Sequence, residues 1–277
     1  DIFQDRHVTL GHTRLAIQDL TSEGNQPLWD RERRYCLIFN GEIYNFKKLK
    51  TNLQKLGHQF KTQTDSEVLL NLYIEYGHKC LQRLDGFFSF AIYDSKKKTV
   101  FIARDRFGIK PLVYSLQENS FLFASEIKGL IPLLEKKEID NISLYQYLQF
   151  TYVPGPFSIF KNIKKLRPGH FIFIEGGKVT IEKYYNLTWD PDQYTRLPYG
   201  RQKEKLLELL KKSVQNRLVS DAPLGAFLSG GIDSSAIVSL ASKHVSQLKT
   251  FSIGFKNNQF LDETRYAGAV AQKFKTD

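Results

Sequence analysis

Methionine is missing from all 277 residues, cysteine and tryptophan occur only twice each, and no apolar run approaches the length of a membrane span. Two cysteines cannot staple a chain this long into a disulfide scaffold. Without a stretch of about 20 apolar residues there is no expected transmembrane helix. Asp1-Ile2-Phe3-Gln4-Asp5-Arg6 also lacks the basic-then-apolar order of a secretory signal. The expectation is a soluble, cytoplasmic protein. The missing initiator, with strand-like Val8-Thr9-Leu10 close behind Asp1 and no terminal punctuation before Asp277, reads as a fragment cut at both ends.

What is present excludes disorder. Hydrophobic residues make up 42% and aromatics 13%, enough apolar surface to offset the entropy of ordering the chain. At roughly 150 residues per domain the length suggests about two domains. The net charge of +11 is spread over small groups such as Lys47-Lys48-Lys50 and Lys96-Lys97-Lys98, which read as solvated surface next to turns and on helix faces. Nucleic acid is not the expected partner.

The first two thirds read as strand-rich. Candidate strands are 8–10, 15–18, 35–40, 87–94, 99–105, 112–115, 121–125, 170–175 and 179–184, with helical spacing at 46–56 and 66–76. This mixture predicts an α+β domain of sheets covered by helices. The polar, proline-bearing stretch from Trp189 to Pro198 reads as a linker. After it, helix (201–217), strand (224–228), helix (234–244), strand (250–255) and helix (262–274) alternate, which predicts a doubly wound parallel sheet, an α/β domain.

The sharpest motif is Leu224-Gly225-Ala226-Phe227-Leu228-Ser229-Gly230-Gly231-Ile232-Asp233-Ser234-Ser235. A buried strand ends in Ser-Gly-Gly and a helix opens at Asp-Ser-Ser. The glycines allow a sharp turn and close approach, and the free N–H groups at the helix start make an anion site. A plain capped helix after a Gly-Gly turn is the alternative, but the strand–loop–helix context favours pyrophosphate binding. Asp233 repels bare phosphate and suits a site with Mg²⁺ between them. The dinucleotide fingerprint and the Walker lysine are both absent. The run resembles the PP-loop of ATP pyrophosphatases. That resemblance implies that Ser229, Gly230, Gly231, Asp233, Ser234 and Ser235 hold the departing pyrophosphate of ATP, that Asp233 binds its Mg²⁺, and that Phe227 and Ile253 contact the nucleoside. Phe227 departs from the family's more usual aliphatic residue.

In the first domain, Asn40-Gly41-Glu42 alone reads as a turn after a strand. It stands, however, in an ordered series: Gly11-His12-Thr13-Arg14-Leu15-Ala16-Ile17, Gln26-Pro27-Leu28, Asn40-Gly41-Glu42, Thr64-Asp65-Ser66-Glu67, the run from Ala103 to Leu112, and Ala124-Ser125-Glu126. The series resembles class II glutamine amidotransferase domains, layered αββα folds of the N-terminal-nucleophile type. The resemblance implies that Arg14 clamps the glutamine carboxylate, that Leu15, Ala16, Ile17 and Gln18 line the site through their backbone, and that Asp65, assisted by Glu42, holds the amino group. Asn40 through its side chain and Gly41 through its N–H would form the oxyanion hole. The family's nucleophile is an N-terminal cysteine, which Asp1 cannot supply. Cys36 and Cys80 read as core thiols, so the chain as given is not expected to hydrolyse glutamine. The six histidines show no metal spacing. Arg104-Asp105-Arg106 reads as an ion-pair network supporting the glutamine site.

Both motif sets together, with the stretch from Tyr152 to His170, resemble the glutamine-hydrolysing asparagine synthetase family. The implied boundaries are an amidotransferase domain at 1–188, a linker at 189–199 and an ATP-binding domain at 200–277. The implied substrates are glutamine, aspartate and ATP, with Mg²⁺, and a homodimer is compatible with the resemblance. Three rival readings stand beside this one: amidation of another carboxylate, a PP-loop tRNA-modifying enzyme, and a non-catalytic relative that keeps the fold.

Overall fold

The computed structural model describes residues 1–190, 192–255 and 262–277. The chain forms two compact units, one of residues 1–15 and 21–187, the other of residues 16–20 and 188–277.

In the first unit the elements run β1 (Ile2–Gln4), β2 (Thr9–Gly11), β3 (Leu28–Trp29), β4 (Tyr35–Ile43), α1 (Phe46–Lys55), α2 (Asp65–Tyr76), β5 (Gly86–Asp94), β6 (Thr99–Arg104), β7 (Val113–Leu116), β8 (Phe121–Ala124), α3 (Asn141–Phe150), β9 (Lys164–Lys165), β10 (His170–Glu175) and β11 (Lys178–Lys183). Six strands form an antiparallel sheet in the order β11-β10-β6-β5-β4-β3, and three form a smaller sheet in the order β8-β7-β9. Strand alternation sends successive side chains to opposite faces, and β6 shows the result. Phe101 meets Tyr73 of α2, ring centroids 5.2 Å apart, while its neighbour Ile102 joins Ala91, Leu112, Leu166 and Ile172 in a core that includes Tyr114, Phe121 and Phe123 of the smaller sheet. Helices, large sheet and small sheet thus stack in layers. Each large side chain buried between them contributes roughly 1.5–3 kcal/mol.

The central strands Tyr35–Ile43 and Gly86–Asp94 form around continuous apolar runs at 36–39 and 90–93, which suits strands covered on both faces. Helix α1 buries Phe46, Leu49 and Leu53 along one stripe. Helix α2 starts at an N-cap where Thr64 Oγ1 accepts from the Glu67 N–H at 3.2 Å. The Glu67 carboxylate turns back to accept the N–H groups of Lys61 and Thr62 at 2.9 and 2.7 Å.

Two sequence expectations are corrected. The segment 15–18 is not a strand: Leu15 is 83% exposed, Asp19 adopts φ +52°, and the Ile17 carbonyl accepts the N–H of Asp221 at 2.9 Å. The apolar alternation of Leu15 and Ile17 there belongs to a loop. Helix α3 was not anticipated, although Asp140 caps it by accepting from the Ser143 N–H at 3.2 Å.

In the second unit the elements are α4 (Asp192–Thr195), α5 (Tyr199–Asn216), β12 (Gly225–Phe227), α6 (Ile232–Ala241), β13 (Lys249–Phe251) and α7 (Thr264–Phe274). β12 and β13 pair in parallel around a core of Val214, Leu228, Val238, Leu240, Ala241, Leu248 and Ala267. Pro191, within the expected linker, lies outside the described residues. Among the described residues no helix is long and apolar enough to cross a membrane.

Candidate functional site

The first-unit candidates converge through backbone hydrogen bonds. Strand β4 carries Asn40, Gly41 and Glu42 toward its C-terminal end. There Ile43 donates its N–H to Asp65 Oδ2 at 2.8 Å, tying the strand to the start of α2. Asp65 is 5% exposed. Burial, with the negative charge of Glu42 nearby and against backbone N–H donors, pushes its carboxyl up to about 7. A cation arriving beside it would favour the ionised form. Arg14 Nη1 donates to the Thr21 carbonyl at 2.5 Å, and its guanidinium lies over Gly24, where an added Cβ would also meet Thr64 Cγ2 at 2.7 Å. A series of contacts therefore runs from Arg14 through Gly24 and Thr64 to Asp65 and Ile43.

Asn40 is held on the same strand. Its Nδ2 donates to Ser125 Oγ at 3.2 Å, which leaves its second N–H for another acceptor. At Gly41 a Cβ would collide with the Phe87 carbonyl and lie 2.8 Å from Phe88 Cα, so only glycine permits this approach of β4 to β5. His12 Nε2 donates to the Phe39 carbonyl at 2.9 Å, and burial holds its pKa below the usual imidazole range despite that hydrogen bond. His12, Asn40, Ser89 and Ser125 help line a cavity of about 190 Å³. Neither cysteine takes part. Both are buried, and desolvation pushes the Cys36 and Cys80 thiols up to about 12, far from an activated nucleophile.

The second-unit candidates form a loop between β12 and α6. Gly230 has φ +84°, and a Cβ there would meet the Ala267 backbone N at 2.6 Å. Ser229 Oγ lies 3.0 Å from Ser234 Oγ and accepts the Gly231 N–H at 3.3 Å, so hydroxyls brace the turn across its mouth. Asp233 stands in the first turn of α6 with no ion-pair partner among the described residues. Phe227, Ile232 and Ile253 are 82%, 89% and 74% exposed. Ser252 Oγ donates to the Leu228 carbonyl at 2.6 Å, holding the end of β13 beside the loop.

The family model of the glutamine amidotransferase domain matches residues 1–185, and that of asparagine synthase matches residues 205–277. This chain belongs to the glutamine amidotransferase family. A Methanocaldococcus jannaschii protein whose name carries the words asparagine synthetase, glutamine-hydrolyzing, is 37% identical over 99% of this chain. Asparagine synthetase 1 of Bacillus subtilis, also glutamine-hydrolyzing by name, is 40% identical over 93% of it. The chain spans about half the length of the curated relatives it matches, 56% and 40% of these two. Among solved structures, a Bacillus subtilis glutamine phosphoribosylpyrophosphate amidotransferase aligns at a TM-score of 0.47 with 19% identity, covering 92% of this chain and 53% of that one.

Within the amidotransferase domain the structure adds residues that sequence reasoning assigned no role of their own. Gly24 is the platform under Arg14, and Ser125 orients Asn40. Both were inside or beside resemblance segments, but only the fold reveals the contacts. The ion-pair expectation for Arg104-Asp105-Arg106 is corrected. Arg104 donates to the carbonyls of Lys110, Leu166 and Gly108, and buried Asp105 accepts the N–H groups of Phe107, Ile109 and Lys110 at 3.0, 3.0 and 2.9 Å. The turn is held by backbone groups, and none of the three residues has an ion pair among the described residues. The expected backbone lining is split between the units: Leu15 groups with the first, and Ala16, Ile17 and Gln18 with the second.

Proposed function

We propose that this chain contributes the glutamine site and the ATP loop of an enzyme that amidates aspartate to asparagine, consuming glutamine and ATP and releasing AMP and pyrophosphate. The observation that carries the reading is the order of two matches on one chain, glutamine amidotransferase at 1–185 and asparagine synthase at 205–277.

In the first site Arg14 holds the α-carboxylate of glutamine, and Leu15, Ala16, Ile17 and Gln18 line it. Asp65 and Glu42 receive the α-ammonium, and Asp65 ionises as that cation arrives. The free N–H of the Asn40 amide and the Gly41 N–H face the oxyanion formed when the side-chain amide is attacked; losing one such donor costs about 2.7–4 kcal/mol of barrier. The inert thiols of Cys36 and Cys80 leave the nucleophile to a residue other than these two. Water completes the cleavage, giving glutamate and ammonia.

In the second site the β-carboxylate oxygen of aspartate attacks the α-phosphorus of ATP, and the bond to the pyrophosphate breaks. Ser229, Gly230, Gly231, Ser234 and Ser235 surround the departing pyrophosphate, with the N-terminal amides of α6 supplying positive potential. Phe227 and Ile253 offer exposed apolar surface to the nucleoside. Ammonia then attacks the acyl carbon, AMP leaves with the bonding electrons, a proton passes to solvent and asparagine remains. A lone carboxylate at Asp233 fits Mg²⁺ that arrives with phosphates, since that ion is commonly held by one or two carboxylates plus substrate oxygens. No group of three or more His, Cys, Asp or Glu residues able to hold a metal occurs among the described residues. Bound there, Mg²⁺ would neutralise charge on the pyrophosphate. Free thiols suit a reducing compartment, and we place the protein in the cytoplasm.

The test supplies the intact protein with ATP, aspartate and glutamine labelled with nitrogen-15 at the side-chain amide. Labelled asparagine, AMP and pyrophosphate are expected in equal amounts. ADP and phosphate as products, or no label on aspartate, would overturn the reading.

A further inference from the structure

A second concave surface of the first unit has neither Arg14 nor Asp65 in its lining. Residues from the end of β6, the segment following α3, β9 and the residues after it, and the paired ends of β10 and β11 line an open cavity of about 700 Å³. Its wall carries Arg104, Lys165, Arg167, His170 and Lys183, with Tyr152 at 61% exposure beside them. No carboxylate lines it.

Strand geometry produces this segregation. His170 and Lys183 are direct cross-strand partners and share a face, whereas Glu182 is paired with Phe171 on the opposite face. The carboxylate nearest in sequence to Arg104 is Asp105, which is turned onto backbone N–H groups. None of Arg104, Lys165, Arg167 and Lys183 has a carboxylate partner within ion-pair distance among the described residues. Lys165 is half-buried and donates to the Val153 carbonyl at 2.6 Å. Burial first, and the positive charge of Arg104 second, hold its ammonium below the usual lysine range. Like charges gathered on one wall repel one another, so an anion between these groups relieves that repulsion.

The donors divide into two sets. Each Arg104 nitrogen donates once to a carbonyl, which fixes the guanidinium in place and leaves one N–H on each terminal nitrogen. The Arg167 guanidinium, the Lys183 ammonium and the remaining protons of Lys165 are available. His170 commits Nδ1 to the Pro168 carbonyl at 2.8 Å, which leaves Nε2 for a ligand. A cavity of this volume is in the range of organic-ligand sites, roughly 300–1,000 Å³, far more than a bare phosphate needs.

From this arrangement we infer that the basic cavity between the β10–β11 ends and the Tyr152–Pro156 segment is a binding site for a phosphate-bearing organic anion of about nucleotide size. Arg167 and Lys183 grip the phosphate, and Tyr152 and Pro156 offer surface to the organic body.

The test titrates AMP, adenosine and inorganic phosphate into this chain by calorimetry. One arm uses the Arg167→Gln/Lys183→Gln variant. A second uses Ser229→Ala/Ser234→Ala, which alters the loop before α6 instead. AMP is expected to bind with a Kd below roughly 1 mM, and adenosine at least tenfold more weakly. The AMP site is expected to weaken at least tenfold in the Arg167→Gln/Lys183→Gln variant and to persist in the serine variant. Both altered basic side chains are exposed, and an unchanged melting temperature establishes that the variant is folded. AMP affinity within twofold of the parent in a folded Arg167→Gln/Lys183→Gln variant would overturn the inference. So would equal binding of adenosine, loss of the site in the serine variant, or binding of inorganic phosphate as tight as that of AMP.

Discussion

The two candidate sites solve recognition in opposite ways. In the first unit, charge is placed before the ligand arrives: Asp65 is buried against the Ile43 N–H, and Arg14 is seated on Gly24. In the second unit, little charge is installed. The loop between β12 and α6 offers amides and hydroxyls that meanwhile bond to one another, and its apolar neighbours Phe227 and Ile253 stand open to solvent. A free amino acid has small, fixed charges that reward a preorganised clamp. The polyphosphate proposed for the second brings its own charge and counter-ion, so a helix start and a ring of amide and hydroxyl donors would suffice.

That contrast can be broken or sharpened by experiment. The largest effects are expected where glycine is obligatory in each unit. Gly41→Ala drives a Cβ into backbone of β5 and should cost about 3 kcal/mol or more, lowering the urea midpoint of the first unit's transition. Gly230→Ala, with positive φ and backbone of α7 in the way, should do the same to the second unit's transition only. One shared transition shifted equally by both would contradict two separate units. Next in size, Arg14→Ala should reduce glutamine-dependent amide formation roughly 10²–10³-fold, by loss of a bidentate charge-assisted contact, while ammonia-dependent formation stays within twofold. Asp233→Asn should lower pyrophosphate release with either nitrogen source while glutamine hydrolysis persists. Equal loss of both activities in Arg14→Ala would remove the division of labour.

A smaller effect concerns pH. The Asp65 carboxyl titrates at about 7 in the folded chain and near 3.9 when unfolded, so between those values the native state holds the extra proton. Stability from this group is therefore full below about 4 and falls as pH rises through about 7. Asp65→Asn should flatten that decline in melting temperature measured from pH 4 to 8; an unchanged slope would assign the decline elsewhere. Smallest of all, Thr64→Ala removes the α2 cap and should cost about 1 kcal/mol, read as a lower urea midpoint without change in the second unit.

Legibility in the sequence followed locality. The strands Tyr35–Ile43 and Gly86–Asp94 carry unbroken apolar runs at 36–39 and 90–93, and both are central in the sheet. The Ser-Gly-Gly-Ile-Asp-Ser-Ser loop carries its geometry within seven residues, and the strand, turn and helix appear where the pattern puts them. Leu15 and Ile17 misled because alternation alone does not distinguish a half-buried strand from a loop whose carbonyl is claimed at Asp221. Helix α3 escaped because Ile142, Tyr145, Tyr147, Leu148 and Phe150 are all exposed, leaving no one-sided stripe to detect. The Asn40–Ser125 contact joins residues 85 positions apart, and the cations around the β10–β11 ends come together only through strand register.

The raised carboxyl at Asp65 also gives the first site a proton ledger. Near neutrality a good share of the molecules carry a proton there, and a ligand ammonium that settles beside it displaces that proton into the buffer. If glutamine is captured there as proposed, its binding would have a heat that varies with the ionisation enthalpy of the buffer and an affinity that weakens as the medium acidifies, so the site would read the acidity of its surroundings each time it fills.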